Sequence, residues 1–544
     1  MNPLLSALFP EVILVAVASL LMLSGATGSA MLRRLSPWAA IASLVMAAWL
    51  VFARSQLGEA GQYVGPVAIT GMSEYVKLLS YGVGALLVLL QWPTDRAASG
   101  NSSLFVGREG PEYFGLMLLA FAGVSLVAGA DDLILLFLGV ELASIPTYIM
   151  LSISRPLAVA QEATLKYFFL GAFSAALTLF GLSFLFGVSG SLSLGVISQT
   201  LAANMGSASP WVLLATITIV VGLAFKLAAF PMHFYAPDVY TGAATPMTAL
   251  LSFVPKTAGL VALIKVLFAV RGAPEMAMAP SITTLLWIVA VLSMTIGNVL
   301  GLMQHNIKRM MACSSIAHSG YMLTGVLVAL SSGGNVQIAA LQGVLFYLTA
   351  YGLMNAGVFA VLMMIPAKVD PFAYEGKVPP ATSAETFAEL TGTGRRDPML
   401  GLIMAVCCFS LIGIPLTIGF FGKLLLIRPA LMSHYYWLVI ILVINAAISA
   451  GYYLRVVAAM FLREPRALET TAGDVPALES PALMRTFPLL LAGLISAGGC
   501  VLLGTILPAT SAVLDKAKAS VSVLPVFHVT ERANAFPSPE NTPP

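Results

Sequence analysis

Apolar runs of about 20 residues, the length that carries an α-helix across a hydrocarbon core, recur along the whole chain and leave it few folds to choose from. We place fourteen, near 4–24, 36–54, 74–92, 113–128, 131–150, 162–186, 210–235, 245–270, 281–302, 308–331, 337–366, 400–430, 435–461 and 487–508. Within a bilayer every backbone polar group must be satisfied inside its own segment, so the runs read as an all-α polytopic membrane protein. Composition agrees: 59% of the 544 residues are hydrophobic and 9% are charged, too few charges for a water-soluble domain. The opening MNPLLSALFPEV has no Lys or Arg and no small-residue cleavage site, and we read the first run as a retained helix rather than a signal peptide.

Sorting the 27 Lys and Arg over these spans gives an asymmetric distribution. One side receives fourteen, among them Arg33, Arg34, Lys308, Arg309, Arg395 and Arg396. The other receives seven: Arg54, Lys77, Arg271, Arg428, Lys516, Lys518 and Arg532. The richer side is expected to be cytoplasmic, which puts both termini outside. The longest inner connection, about 367–399, is charged and rich in Pro and Gly, with a short helix expected at its SAETFAEL stretch. After about residue 509 the chain turns polar and ends in AFPSPENTPP, a tail expected to be disordered or laid over a neighbour.

Charges inside the spans point to function. The stretch GLAFKLAAFPMHFYAPDVYTGAATPMTALLSFVPK, Gly222 to Lys256, sets Lys226 and Lys256 in apolar runs, where an ammonium costs roughly 2.5–3.5 kcal/mol to insert. Pro231 removes a backbone donor five residues after Lys226, so this span is expected to break beside the lysine and expose polar backbone to it. In LIGIPLTIGFFGK the order reverses, with Gly413 and Pro415 ahead of Lys423. Spans seven and twelve stand five positions apart, an odd offset that makes them enter the membrane from opposite sides, and broken spans so related are a mark of inverted-topology repeats. We therefore divide the chain into helices one to three (1–110), a first repeat of helices four to eight (111–275) and a second of nine to thirteen (276–465). Helix fourteen (466–510) and a polar, Pro-rich tail (511–544) complete it.

Lys226, Lys256 and Lys423 have no acid nearby in sequence. A desolvated lysine can release its proton near neutral pH, which makes these three candidate proton carriers. Glu141 is the one acid read as deep in a span, either a functional group or half of a structural ion pair. Glu162 and Lys166 share a helix face four residues apart, as an interfacial pair or part of a proton path. His233 and His318 are candidate relays or hydrogen-bonded core residues, and His305 is a weaker candidate. Lys265, near the outer end of its span, is read as structural and snorkelling. Cys313, Cys407, Cys408 and Cys500 lack metal-ligand spacing and read as small buried hydrophobes. Neither a dinucleotide fingerprint nor a phosphate loop is present, so no cofactor or metal is assigned to this chain.

The segments LFLGVELASIPTYIM, EATLKYFFLGAFSAA, the Gly222–Lys256 stretch, NIKRMMACSSIAHSGYML and GIPLTIGFFGK closely resemble subunit N of the proton-translocating NADH:quinone oxidoreductases, respiratory complex I, over about residues 110–460. More distantly they resemble multisubunit cation/proton antiporter subunits, whose usual His-x-Trp-Leu-Pro-Asp-Ala-His loop is replaced here by His233 to Tyr240, HFYAPDVY. The resemblance implies that Glu141 and Lys226 are a coupling pair and that Lys256 passes a proton to Lys423. It implies a translocase subunit in the bacterial inner membrane, moving protons while NADH reduces quinone elsewhere, with NAD, FMN, iron–sulfur clusters and quinone in other subunits. Its expected partners are the other membrane subunits and the lipid bilayer, with no nucleic acid. The chain departs from the family pattern at Cys313, where a Tyr is expected. A cation antiporter subunit is the alternative function. A purely structural scaffold leaves the three deep lysines without a reason.

Overall fold

The computed structural model describes residues 3–27, 29–56, 61–92, 110–154, 158–205, 209–272, 278–366, 383–463, 486–505 and 507–522. Its principal helices are α1 (Phe9–Gly25), α2 (Ala30–Gln56), α3 (Gly71–Leu90), α4 (Gly110–Gly129), α5 (Leu133–Ser154), α6 (Ala158–Ser189), α7 (Pro210–Leu227) and α8 (Ala236–Gly242). They continue with α9 (Thr245–Arg271), α10 (Pro280–Met303), α11 (Ile307–Ser331), α12 (Gly334–Met364), α13 (Pro398–Ile412), α14 (Ile418–Met432), α15 (Tyr436–Phe461), α16 (Phe487–Thr505) and α17 (Leu507–Ser522). A two-stranded hairpin, Gln62–Val64 with Val67–Ile69, lies between α2 and α3.

Twelve of the described helices are long and apolar enough to cross a membrane. The two expected spans outside that set are the first, whose α1 has 17 residues, and the twelfth, which is split into α13 and α14. The seventh span breaks as expected, but sooner: α7 stops at Leu227 and Ala228 takes a left-handed conformation with φ 52°, three residues ahead of Pro231.

Apolar residues run all round these helices, so burial is set by position in the bundle and not by an amphipathic stripe. α9 and α11 are completely buried over their apolar windows, whereas α6 is 33% buried and shows Leu165, Phe169 and Phe173 on its outer face. Small residues set the close helix contacts, as expected where lipid is as apolar as leucine. A Cβ added at Gly123 would stand 2.2 Å from the Ala143 nitrogen, fixing α4 on α5, and one at Gly222 would stand 2.3 Å from Thr178 Oγ1, fixing α7 on α6.

Several cations read as loop charges lie inside the protein. Lys308 is 0% exposed and donates to the Ala243 carbonyl at 2.7 Å and to Glu385 Oε1 at 2.8 Å. Arg271 is buried against Gln337. Lys77 is buried against Glu11, so Glu141 is not the only deep acid. Each finds a partner on an element distant in sequence, which loop counting cannot see. The short helix near 383–390 starts at Thr386, whose capping partner is Glu389, while Ser383 is tied to Thr245. The chain past residue 509 is helical as far as Ser522: Thr510, Ala517 and Val521 are buried as α17 lies on α3 and α12. The rest of the tail, 523–544, and loop residues 367–382 lie outside the described residues.

Candidate functional site: a line of buried lysines

The site forms where α9, α11 and α12 meet the two broken helices. Gly259 lets α7 approach α9, since an added Cβ would come 2.7 Å from Lys226 Cβ. Lys226, in the last turn of α7, lies 3.1 Å from Glu141 Oε1 and donates to Ser144 Oγ at 2.8 Å and to the Tyr148 hydroxyl at 3.2 Å. Glu141, Ser144 and Tyr148 share one face of α5 through their three- and four-residue spacing. The ion pair lacks hydrogen-bond geometry, and Glu141 Oε1 receives no hydrogen bond. Acid and ammonium are therefore held by charge, without a hydrogen bond between them.

Lys256 follows on α9. Its Nζ donates to the Ser315 carbonyl at 2.5 Å and Ser315 Oγ at 2.7 Å, and stands 4.6 Å from the centre of the Tyr351 ring. Between Lys226 and Lys256 is a cavity of about 10 Å³ lined by Tyr167, Tyr235, Tyr240 and Ser315, near the lower limit of what holds one water. His318 of α11 continues the line, bonding Tyr347 OH through Nδ1 at 2.7 Å and Tyr453 OH through Nε2 at 3.2 Å. Lys256 and Lys423 are both close enough to act electrostatically on its ring.

Lys423, on α14, donates to the Leu411 and Ile412 carbonyls at 3.1 and 2.7 Å, and lies 5.0 Å from the Tyr321 ring centre. These carbonyls are freed where α13 stops at Gly413, whose φ of 89° is left-handed. Among the described residues neither Lys256 nor Lys423 is ion-paired with an acid.

The first break differs from expectation. Its backbone groups are taken by other side chains: Tyr235 OH donates to the Phe225 carbonyl, Ser319 Oγ to the Leu227 carbonyl, and Phe230 N–H donates to Ser293 Oγ. Lys226 turns to α5 instead, because it precedes the break and Gly259 holds its stem against α9. The two breaks are thus chemically unequal: one lysine faces an acid, the other faces carbonyls.

The remaining candidates separate. Glu162 and Lys166 pair at 2.8 Å, and Lys166 reaches Asp238 of α8 at 3.0 Å, which in turn holds Arg309 of α11 at 3.2 Å. This network is exposed, Glu162 to 65%. His233 sits in the turn after the break beside Phe230 and the Pro231 backbone, and His305 is exposed between α10 and α11. Lys265 does not snorkel: it is buried and donates to the Ala128 and Ala130 carbonyls at 2.6 Å each. Sequence reading missed the hydroxyls that serve the lysines. Ser144 and Tyr148 were accessible from their spacing to Glu141, but Ser315, Tyr347, Tyr351 and Tyr453 lie on other helices and carry no local signal.

A helical bundle with interrupted helices and a buried line of lysines defines an antiporter-like membrane protein. The family model for the membrane part of NADH:quinone oxidoreductases and Mrp antiporters matches residues 130–449, and the chain belongs to that family, in its subunit N branch. NADH-quinone oxidoreductase subunit N of Trichlorobacter lovleyi is 38% identical over 413 residues, 76% of this chain and 77% of the relative. A chain of respiratory complex I from Thermus thermophilus has a TM-score of 0.71 at 29% identity, over 94% of this chain and 99% of that one. A chain of the Mrp complex from a Dietzia species shares the fold, with a TM-score of 0.75 at 19% identity over 96% and 99%.

Proposed function

We propose that this chain is a proton-translocating membrane-arm subunit of an NADH:quinone oxidoreductase, with the other membrane subunits and the lipid bilayer as its partners and the redox cofactors in other subunits. The observation that carries the reading is the Glu141–Lys226 pair, close but not hydrogen-bonded, at the head of a buried line of exchangeable groups. When Glu141 is charged and near, it favours the Lys226 ammonium; as the pair separates, Lys226 loses that support and can give up a proton. The small cavity leads the proton to Lys256, and Ser315, Tyr351, His318 and Tyr347 offer a hydroxyl and imidazole path to Lys423. At Lys423 the freed carbonyls hold the ammonium without a fixed counter-charge.

The same reading takes 111–275 and 276–465 as inverted repeats, each with one broken helix and one lysine beside the break. It places the protein in the bacterial inner membrane with both termini outside. A metal-cation antiporter fits less well, because hard cations take several oxygen ligands and the one acid in this line stands beside an ammonium.

The test is Glu141→Ala and Lys226→Ala in the assembled complex. Groups that move protons contribute on the order of 10²-fold or more, so we expect at least about a tenfold loss of pumping, with a parallel loss of quinone reduction through coupling. Wild-type pumping in both assembled variants would reduce the pair to a structural role.

A further inference from the structure

Off the central line lies an acid–base pair with both partners buried. Glu11, in the first turn of α1, and Lys77, on α3, are 3% and 6% exposed, and Lys77 Nζ lies 2.6 Å from Glu11 Oε1. The Ser125 hydroxyl of α4 donates to the same oxygen at 2.6 Å. Its proton is spent there, so the Tyr81 hydroxyl, 2.7 Å from Ser125 Oγ, is the donor in that bond. A polarised chain, Tyr81 to Ser125 to Glu11, results. All partners gather on Oε1, and Glu11 Oε2 is buried without a hydrogen bond. A bare carboxylate oxygen is costly in a purely structural ion pair. It leaves the carboxylate short of donors and ready to take a proton, which Lys77 can pass across its 2.6 Å contact with Oε1.

The pair sits where a further buried lysine arrives. A Cβ added at Gly129 would stand 3.4 Å from Lys77 Nζ, and Lys265 donates to the carbonyls on either side of that glycine. Two ammoniums thus converge on the last turn of α4, whose carbonyl end attracts cations. Asp131, buried just beyond this turn, and Lys77 both act electrostatically on Lys265. Lys265 shares α9 with Lys256, nine residues farther on, about 13 Å along the axis.

We propose that Glu11 and Lys77 form a proton-holding site at the charge-poor end of the bundle, loaded by way of Lys265 and emptied to the water outside. In the step, the Lys77 ammonium gives a proton to the Glu11 carboxylate, leaving a neutral amine and a neutral acid. The acid releases its proton outward, and the amine is reprotonated from the Lys265 side. This rests on the proton-translocation reading above.

The experiment uses the whole complex in sealed vesicles, comparing Glu11→Gln, Lys77→Arg, the double variant Glu11→Gln/Lys77→Met, and Tyr81→Phe with Glu141→Ala. NADH-driven proton translocation and quinone reduction are measured at matched assembly. We expect Glu11→Gln, Lys77→Arg and the double variant to assemble and to lose at least about fivefold in translocation, because a proton-transfer group has been removed or fixed in charge. A structural ion pair predicts the opposite: Lys77→Arg and the neutral double variant pump normally, and only unpaired charges harm assembly. That result overturns the proposal, as does failure of the charge variants to assemble alongside a fully active Tyr81→Phe. If Glu141→Ala also pumps normally, the translocation reading falls with it; if Glu141→Ala alone fails, only the outer site is refuted.

Discussion

Lys423 separates a carrier from a counter-ion at the scale of one residue. Its ammonium is satisfied by two carbonyls and a ring face, with no acid beside it among the described residues. A fixed cation there would serve equally well as arginine, whereas a carrier must release its proton, which a guanidinium with a pKa above about 12 does not do. We expect Lys423→Arg to lose nearly as much pumping as Lys423→Ala, measured at matched assembly. Near-normal pumping by the arginine variant alone would rule out the carrier role. The same reasoning distinguishes Lys226, whose neighbour Glu141 is an acid, from Lys256, whose neighbour Ser315 is neutral.

Among the elements, the interruptions and the surface network make separate predictions. α13 ends at Ile412 and α14 begins at Ile418, and the interruption frees the last carbonyls of α13, which Lys423 uses. Pro415 keeps the gap from closing, because it cannot donate a helical hydrogen bond. Pro415→Ala is expected to permit partial helix across the gap and to slow proton flux severalfold without preventing assembly, with flux and subunit content as the paired readouts. The exposed network of Glu162, Lys166, Asp238 and Arg309 joins α6, α8 and α11. Water and salt screen such pairs. We assign it to stapling these elements, so Glu162→Gln and Lys166→Met should leave the ratio of protons pumped to quinone reduced unchanged. A lowered ratio in either variant would place the network on the proton path.

For the molecule as a whole, the open quantity is which end faces the cytoplasm. Moving Lys77, Lys308 and Arg271 from loops to interior removes charges from both sides and keeps the sign of the asymmetry. His305 is exposed on the richer side and Gln62 on the poorer one, and all four native cysteines are buried. A cysteine placed by His305→Cys should therefore react with a membrane-impermeant maleimide only from the cytoplasmic side, and one placed by Gln62→Cys only from the outside. The reverse pattern would invert the orientation and turn the Glu11–Lys77 site inward.

The sequence by itself determined the membrane class, the run of helices, the two interruptions and three of the deep lysines, Lys226, Lys256 and Lys423. These follow from local facts: a stretch of apolar residues about 20 long, a proline or glycine that cannot continue a helix, and a charge whose insertion cost demands a reason. Apart from the local pair Glu162–Lys166, which its spacing gives, tertiary structure decided what the charges face. Glu141 meets Lys226 across two helices, Lys256 meets Ser315, and Glu11 meets Lys77 through segments 66 residues apart. In a bundle apolar on every side, no amphipathic stripe tells which face looks inward. Close contacts at Gly123, Gly222 and Gly259 set those faces, and an absent side chain announces its packing only once the neighbouring helix is in place.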